Sequence, residues 1–297
     1  MAKRVLLAKT SQPRLFGVVV RERLFAILDG NRGRPLTWIH GPPGAGKTAL
    51  LASYIESRRL PVLWYQVDAG DGDPASVFHY LASAAESLLT TDKIPLPRFV
   101  PEHLTDLPAF ARLFFRAYFA ALPTGTVWVL DNYQEVPPDA PLHEILRQAV
   151  TEVPLGISVV GISRLEAPGG LVQLAASGAM IGIGWDKLQL DLNEVRAIAA
   201  QRSVTDDWLV RALHQQSQGW AAGITLMLER LGHFDGKAQE LPTETRESVF
   251  NYFASLIFDQ ASEETRHILL SIAFLPCVTP ALACELSGRA EAPSLLE

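Results

Sequence analysis

Gly41-Pro42-Pro43-Gly44-Ala45-Gly46-Lys47-Thr48 is the stretch on which the reading of this chain turns. It satisfies the spacing G-x-x-x-x-G-K-[ST], in which glycines let successive backbone N–H groups turn inward around an anion. Directly before it stands Pro35-Leu36-Thr37-Trp38-Ile39-His40, which reads as a short buried strand, and directly after it a helical pattern from about Lys47 to Arg58. In that setting Lys47 can reach the β and γ oxygens of a nucleotide, and Thr48 can offer its hydroxyl to Mg²⁺. The helix N-terminus adds its dipole and its unpaired N–H groups. Gly41, Pro43, Gly44, Ala45, Gly46, Lys47, Thr48 and Ala49 therefore form the candidate cradle for ATP or ADP.

Outward from the loop, short apolar runs at residues 62–67, 126–131 and 157–162, and a weaker one at 179–183, read as further strands covered on both faces. Helical patterns separate them. One runs from Val18 to Leu28 with Val20, Leu24, Ile27 and Leu28 on one face; another is capped by Asp73 with Pro74 in its first turn; a third begins at Thr105 or Asp106. The alternation predicts an α/β fold: a parallel sheet with flanking helices of the P-loop NTPase kind over residues 1–184. From about Trp185 the strands stop, and helices are expected near 191–201, 206–216, 220–231, 244–258, 263–274 and 280–287, with turns at Gly219, Gly236 and Pro276. Residues 185–297 are thus expected to form a second, helical domain.

Asp131 ends the strand at 126–131, where a carboxylate can hold the Mg²⁺ shell. The following residue is Asn132, whose amide can position water but cannot accept its proton. Glu135 is either a substitute base or a solvated loop residue. Arg164 follows Ser163 at the carboxyl edge of the fourth strand, placed either to meet a γ-phosphate or to cap a helix. Lys47, Asp131 and Arg164 are accordingly the candidate catalytic residues, with Asn132 and Glu135 beside them, and Thr48 and Asp131 the candidate Mg²⁺ ligands. The Asp68, Asp71, Asp73 cluster lacks the glycine and closing glutamate of a calcium loop and reads as a turn plus a helix cap. No histidine spacing fits a zinc site.

A net charge of −6 argues against nucleic-acid binding by these residues, because counterion release needs clustered Lys and Arg. The two cysteines, Cys277 and Cys284, lie seven apart in an apolar stretch and read as buried thiols. No apolar run is long enough to span a bilayer, so a cytoplasmic protein without membrane contact is expected.

Taken together, Val19-Val20-Arg21-Glu22-Arg23-Leu24, the glycine loop, Trp64-Tyr65-Gln66-Val67-Asp68, Leu130-Asp131-Asn132-Tyr133, Ile162-Ser163-Arg164 and Gly219-Trp220-Ala221-Ala222-Gly223 resemble the STAND class of signal-transduction ATPases. The resemblance is to the maltose-regulon activator branch with its large LuxR-type regulators. It implies an ASCE/AAA-like nucleotide-binding domain followed by helical and winged-helix-like segments, closed over ADP and opened by ATP for self-association. It also implies adenine-side contacts at Val19, Val20 and Arg21, and an inducer or regulatory protein acting through a C-terminal sensor outside these residues. The chain then reads as the switch module of a longer transcription regulator. Two departures stand out. Asn132 replaces a second acidic residue, which predicts slow hydrolysis, and Gly219-Trp220-Ala221 stands where the family has glycine-x-proline. A small-molecule phosphotransferase, a non-hydrolysing nucleotide-stabilised scaffold and a DNA-handling motor are the competing readings.

Overall fold

The computed structural model describes residues 8–85, 88, 96–231, 262–273 and 279–289. Its centre is a five-stranded sheet of β1 (Leu36–His40), β2 (Val62–Gln66), β3 (Val127–Asp131), β4 (Ser158–Ser163) and β5 (Met180–Ile183) in the order β2-β3-β4-β1-β5. Every neighbouring pair is parallel. All five strands stand where the apolar runs predict them, and the fold is the expected parallel sheet with flanking helices. Because β4 lies between β1 and β3, the strand that ends in Asp131 is not a neighbour of the strand that feeds the glycine loop.

Strand side chains alternate between faces, and here both faces are apolar. On one side Leu36, Trp38, Leu63, Tyr65, Trp128, Leu130 and Val159 join a core closed by α3 (Pro74–Ala85), α4 (Leu107–Ala121) and α5 (Leu142–Thr151). On the other, Ile39, Trp64, Val129, Val160, Ile162 and Ile183 meet α1 (Glu22–Gly30) and α2 (Lys47–Arg58). Trp38 pairs in register with Gly161 on β4, where a Cβ would stand 2.3 Å from the indole ring. The indole ring of Trp38 thus lies over the neighbouring strand and meets Tyr133 edge-on at 5.0 Å.

Capping explains the helix starts. Asp73 accepts from the Ser76 N–H at 3.1 Å, and Asp106 rather than Thr105 accepts from the Ala109 N–H at 3.1 Å. Asp71, fully buried, accepts from Tyr65 Oη (2.6 Å), Lys9 Nζ (2.9 Å) and its own turn at Asp68 N (2.8 Å), so the aspartate cluster is a turn and cap. The first helix is shorter than expected: it begins at Glu22, and Val20 stands outside it, 48% exposed. The apolar spacing there counted valines that precede the cap at Arg21.

After β5 come α6's successors in an unbroken helical run: α6 itself (Val172–Ala176) precedes the strand, and α7 (Trp185–Leu188), α8 (Leu192–Ala200), α9 (Asp207–Ser217) and α10 (Ala221–Leu231) follow it. Further on are α11 (Glu263–Ile272) and α12 (Pro280–Ser287). The helix expected at 244–258, the turns at Gly236 and Pro276, and Cys277 lie outside the described residues; Cys284 is a free, half-buried thiol. The chain divides into two compact units, Met1–Ile224 and Thr225–Glu297. That division falls later than the change from strands to helices at 184/185, because Leu188 packs into the core of α1 and α2 and the Leu190 N–H bonds Gly219 O at 2.7 Å. No helix among the described residues is long and apolar enough to cross a membrane.

Candidate functional site

Between β1 and α2 the chain turns through Gly44 (φ +71°) and Gly46 (φ +80°), left-handed positions that residues with a Cβ adopt at a cost. Lys47, 9% exposed, folds back over this loop and donates to Gly41 O at 2.6 Å and Pro42 O at 2.9 Å. Burial pulls its pKa down to about 8, the Arg164 charge adds to the fall, and Asp131 opposes it. Arg164 is therefore close enough to act on Lys47 electrostatically, although it comes from the end of a different strand.

Thr48 Oγ1 donates to Asp131 Oδ1 at 3.2 Å, which brings the two candidate Mg²⁺ ligands together from β3 and the first turn of α2. Asp131 is 2% exposed, and burial raises its pKa against the bonds from Thr48 and the Asn132 N–H and the charge of Lys47. The Trp64 indole N–H lies near enough to pull the same way, but outside hydrogen-bond geometry. A hydroxyl and a carboxylate at the edge of an anion cradle are hard oxygen donors, a set that fits Mg²⁺. When bound, the ion would neutralise charge on the phosphate oxygens.

Asn132 has φ 62° and ψ 38°, a left-handed conformation for which Asn is among the most tolerant side chains. It opens a short turn, Tyr133–Glu135. Glu135 is exposed, and its Oε1 accepts from Gln134 Nε2 at 3.2 Å. Gln134 Oε1 in turn accepts from the Arg164 N–H at 3.2 Å, which ties the end of β3 to the end of β4. No sequence feature marks Gln134, a polar residue in a turn. Tyr133 is a core anchor: its Oη donates to His143 Nδ1 at 3.0 Å, and His143 Nε2 donates to Pro137 O at 2.9 Å.

The Val19, Val20, Arg21 stretch is placed differently from the loop residues. Val19 is half-buried and Val20 exposed, while Arg21 is 5% exposed at the cap of α1. Arg21 Nη2 donates to Leu188 O (2.8 Å), Gln189 O (3.2 Å) and Glu194 Oε2 (3.1 Å). Arg23 repeats the pattern on Lys187 O, Gln189 O and Glu194. These arginines clasp α7 and α8 to the start of α1. Arg21 Nε and Nη1 and Glu194 Oε1 are buried with no hydrogen-bond partner, so the clasp has spare polar capacity at this point.

Residues that local sequence reading did not assign to the loop also reach it. Trp220 Nε1 donates to Pro43 O at 3.0 Å, and the Ala222 N–H donates to Gly44 O at 3.0 Å. Trp185 and Leu188 of α7 stand beside Gly41, within 3.6 Å and 3.2 Å of where a Cβ would be.

Residues 30–167 match the AAA domain family, so the P-loop architecture seen in the sheet and loop has a sequence counterpart over that segment. Over 98% of its length the chain is 27% identical to the HTH-type transcriptional regulator MalT of Vibrio cholerae serotype O1 and 28% identical to that of Vibrio parahaemolyticus serotype O3:K6. It spans about a third of the length of these curated relatives, 33% of each. Among solved structures, the Aeropyrum pernix ORC1 protein in complex with DNA superposes with a TM-score of 0.47 at 18% identity, covering 90% of this chain and 75% of that one.

Proposed function

We propose that this chain is the nucleotide-operated switch of a larger transcription regulator of the STAND, LuxR-type kind. It binds ATP or ADP with Mg²⁺ at Gly41 to Ala49, hydrolyses ATP slowly, and changes shape and self-association between the two nucleotides. The observation that carries this reading is the convergence of Lys47, Thr48 and Asp131 at the carboxyl edge of one parallel sheet, with Arg164 acting on the same lysine. Lys47 would neutralise phosphate oxygens, Thr48 and Asp131 would hold Mg²⁺, and Arg164 would meet charge at the terminal phosphate. Val19, Val20 and Arg21 are assigned to the adenine side, next to the clasp on α7 and α8. The inducer and the DNA output belong to parts of the relatives outside this segment, and the protein acts in the cytoplasm.

A switch must bind its two ligands with different affinities for its two states. The test is to purify the protein without added nucleotide, denature it, and identify what is released by ion-exchange chromatography, with Lys47→Ala as control. About one equivalent of ADP, absent from the variant, is the expected result. A protein that carries none and takes up none on addition would overturn the reading.

Asn132 favours a second reading, a scaffold that uses nucleotide only for stability and docking. The left-handed turn accounts for an amide at this position, and the next carboxylate along the chain, Glu135, is exposed and bonded to Gln134. Conversion of bound ATP to ADP in a single turnover separates the two.

A further inference from the structure

The carbonyl groups of the phosphate loop have specific donors, and two of those donors come from the junction of α9 and α10. When loop N–H groups face an anion, the C=O groups of the same peptides face outward, and each buried one needs a partner. Lys47 Nζ serves Gly41 O and Pro42 O. The Gly46 carbonyl is taken up by the Leu50 N–H of α2 at 2.8 Å. Between these, Pro43 O accepts from Trp220 Nε1 and Gly44 O from the Ala222 N–H, each at 3.0 Å.

The segment that supplies these donors is itself fixed. Gly219, at φ +75°, presents its carbonyl to the Leu190 N–H, and a Cβ there would stand 2.6 Å from Leu190 O. Gly223 leaves room for the Trp220 ring, which a Cβ would meet at 2.4 Å. Gly44 leaves room for Ala222 and the edge of the same indole, at 2.5 Å and 3.1 Å from its would-be Cβ. Trp220, 7% exposed, is thus seated on the loop between glycines from both sides.

We infer that Trp220 and Ala222 are positioning residues for nucleotide binding: with the Ala45 N–H closed onto Pro42 O at 3.3 Å, their hold on the Pro43 and Gly44 carbonyls fixes the two peptide planes and leaves the Gly44 N–H for the phosphates of a nucleoside di- or triphosphate. The inference rests on the nucleotide binding proposed above. Since the Pro43–Gly44 peptide would make both contacts and the Gly44 carbonyl beside it is held by the Ala222 N–H, phosphate binding and docking of residues 219–222 strengthen each other by the same factor.

Trp220→Phe in the full chain keeps an aromatic ring and deletes the N–H. Its affinity for Mg·ADP, by isothermal titration calorimetry, is expected to fall about five- to tenfold, the worth of one hydrogen bond. Trp128→Phe removes a buried indole N–H that has no partner among the described residues, and is expected to stay within about twofold of wild type. A second readout needs no variant at position 220: hydrogen exchange of the Ala222 amide should slow when ADP is added to wild type and not when it is added to Lys47→Ala. Wild-type binding with Trp220→Phe unaffected, or an Ala222 amide indifferent to bound ADP, would overturn this inference alone. A wild-type chain that takes up no ADP would overturn the nucleotide reading and this inference with it.

Discussion

Gly44→Ala is the perturbation that most directly tests how the loop is held. Position 44 is unspecified in the G-x-x-x-x-G-K-[ST] spacing, so the pattern alone predicts tolerance. The structure predicts the opposite for two separable reasons. The residue sits at φ +71°, where a Cβ costs about 1–2 kcal/mol. The added methyl would also stand 2.5 Å from the Ala222 Cβ, against an ordinary carbon contact of about 3.5–4.0 Å, so residues 219–222 must retreat by roughly 1 Å. That retreat stretches both 3.0 Å hydrogen bonds beyond useful length, at about 1 kcal/mol each. A loss of about 3–4 kcal/mol is expected from strain and bonds together. Gly125→Ala is the control, because Gly125 has φ +90° and nothing within 4 Å of its would-be Cβ, leaving strain alone. Ala222→Gly added to Gly44→Ala should recover the clash with residue 222 but neither the strain nor the 3.1 Å approach to the Trp220 indole. The assay is urea denaturation followed by near-ultraviolet circular dichroism, paired with Mg·ADP titration. If Gly44→Ala is no more harmful than Gly125→Ala, and Ala222→Gly rescues nothing, the contact between residue 222 and the loop is not what shapes it.

Three further outcomes are expected. Lys47 has a folded pKa of about 8 against 10.5 when unfolded, so between these values the unfolded chain holds the extra proton and nucleotide-free stability should rise with pH. ADP affinity should move the other way above pH 8, by up to about tenfold per unit, because only the ammonium attracts phosphate; denaturation and binding titrations should both lose this dependence in Lys47→Met. Asp131 has a raised pKa through burial, so its contribution is most favourable below the unfolded carboxyl range and declines as pH rises through the folded value. Asp131→Asn should therefore leave nucleotide-free stability at pH 7 equal or higher while removing the Mg²⁺ dependence of nucleotide binding, which calorimetry with and without Mg²⁺ reads. Arg21→Met strips the Glu194 carboxylate of a buried partner, leaving Arg23 and the Asp191 N–H; a loss of about 2–4 kcal/mol in urea denaturation is expected, and a loss under 1 kcal/mol would mean the clasp is not held by this pair.

Much of this architecture was legible from residue order. Short apolar runs between helical patterns located all five strands, and the glycine loop between β1 and α2 located the cradle, because covalent neighbours supply both the N–H groups and the lysine. Asp131 was legible for the same reason: a carboxylate at the end of an apolar run can only emerge at the sheet edge. The start of α1 was misread, since valine spacing does not distinguish a helical turn from the extended residues before its cap. For Asn132 the sequence suggests a water-positioning amide in place of a base but not its left-handed turn, because a backbone φ is not written in the residue name.

By itself, then, the sequence determined the α/β class, the strands and the loop, all features set by local periodicity or by adjacent residues; that Thr48 meets Asp131, 83 positions away, was settled by the sheet order. Tertiary structure alone decided that Arg21 grips α7 and α8, that Gln134 joins β3 to β4, and that Trp220 and Ala222 complete the loop. Those contacts link residues 30 to 178 positions apart, and their partners are backbone carbonyl and amide groups that every residue possesses. A backbone group carries no side-chain signature, so which one is met depends on how the chain packs and cannot be read from the order of its residues.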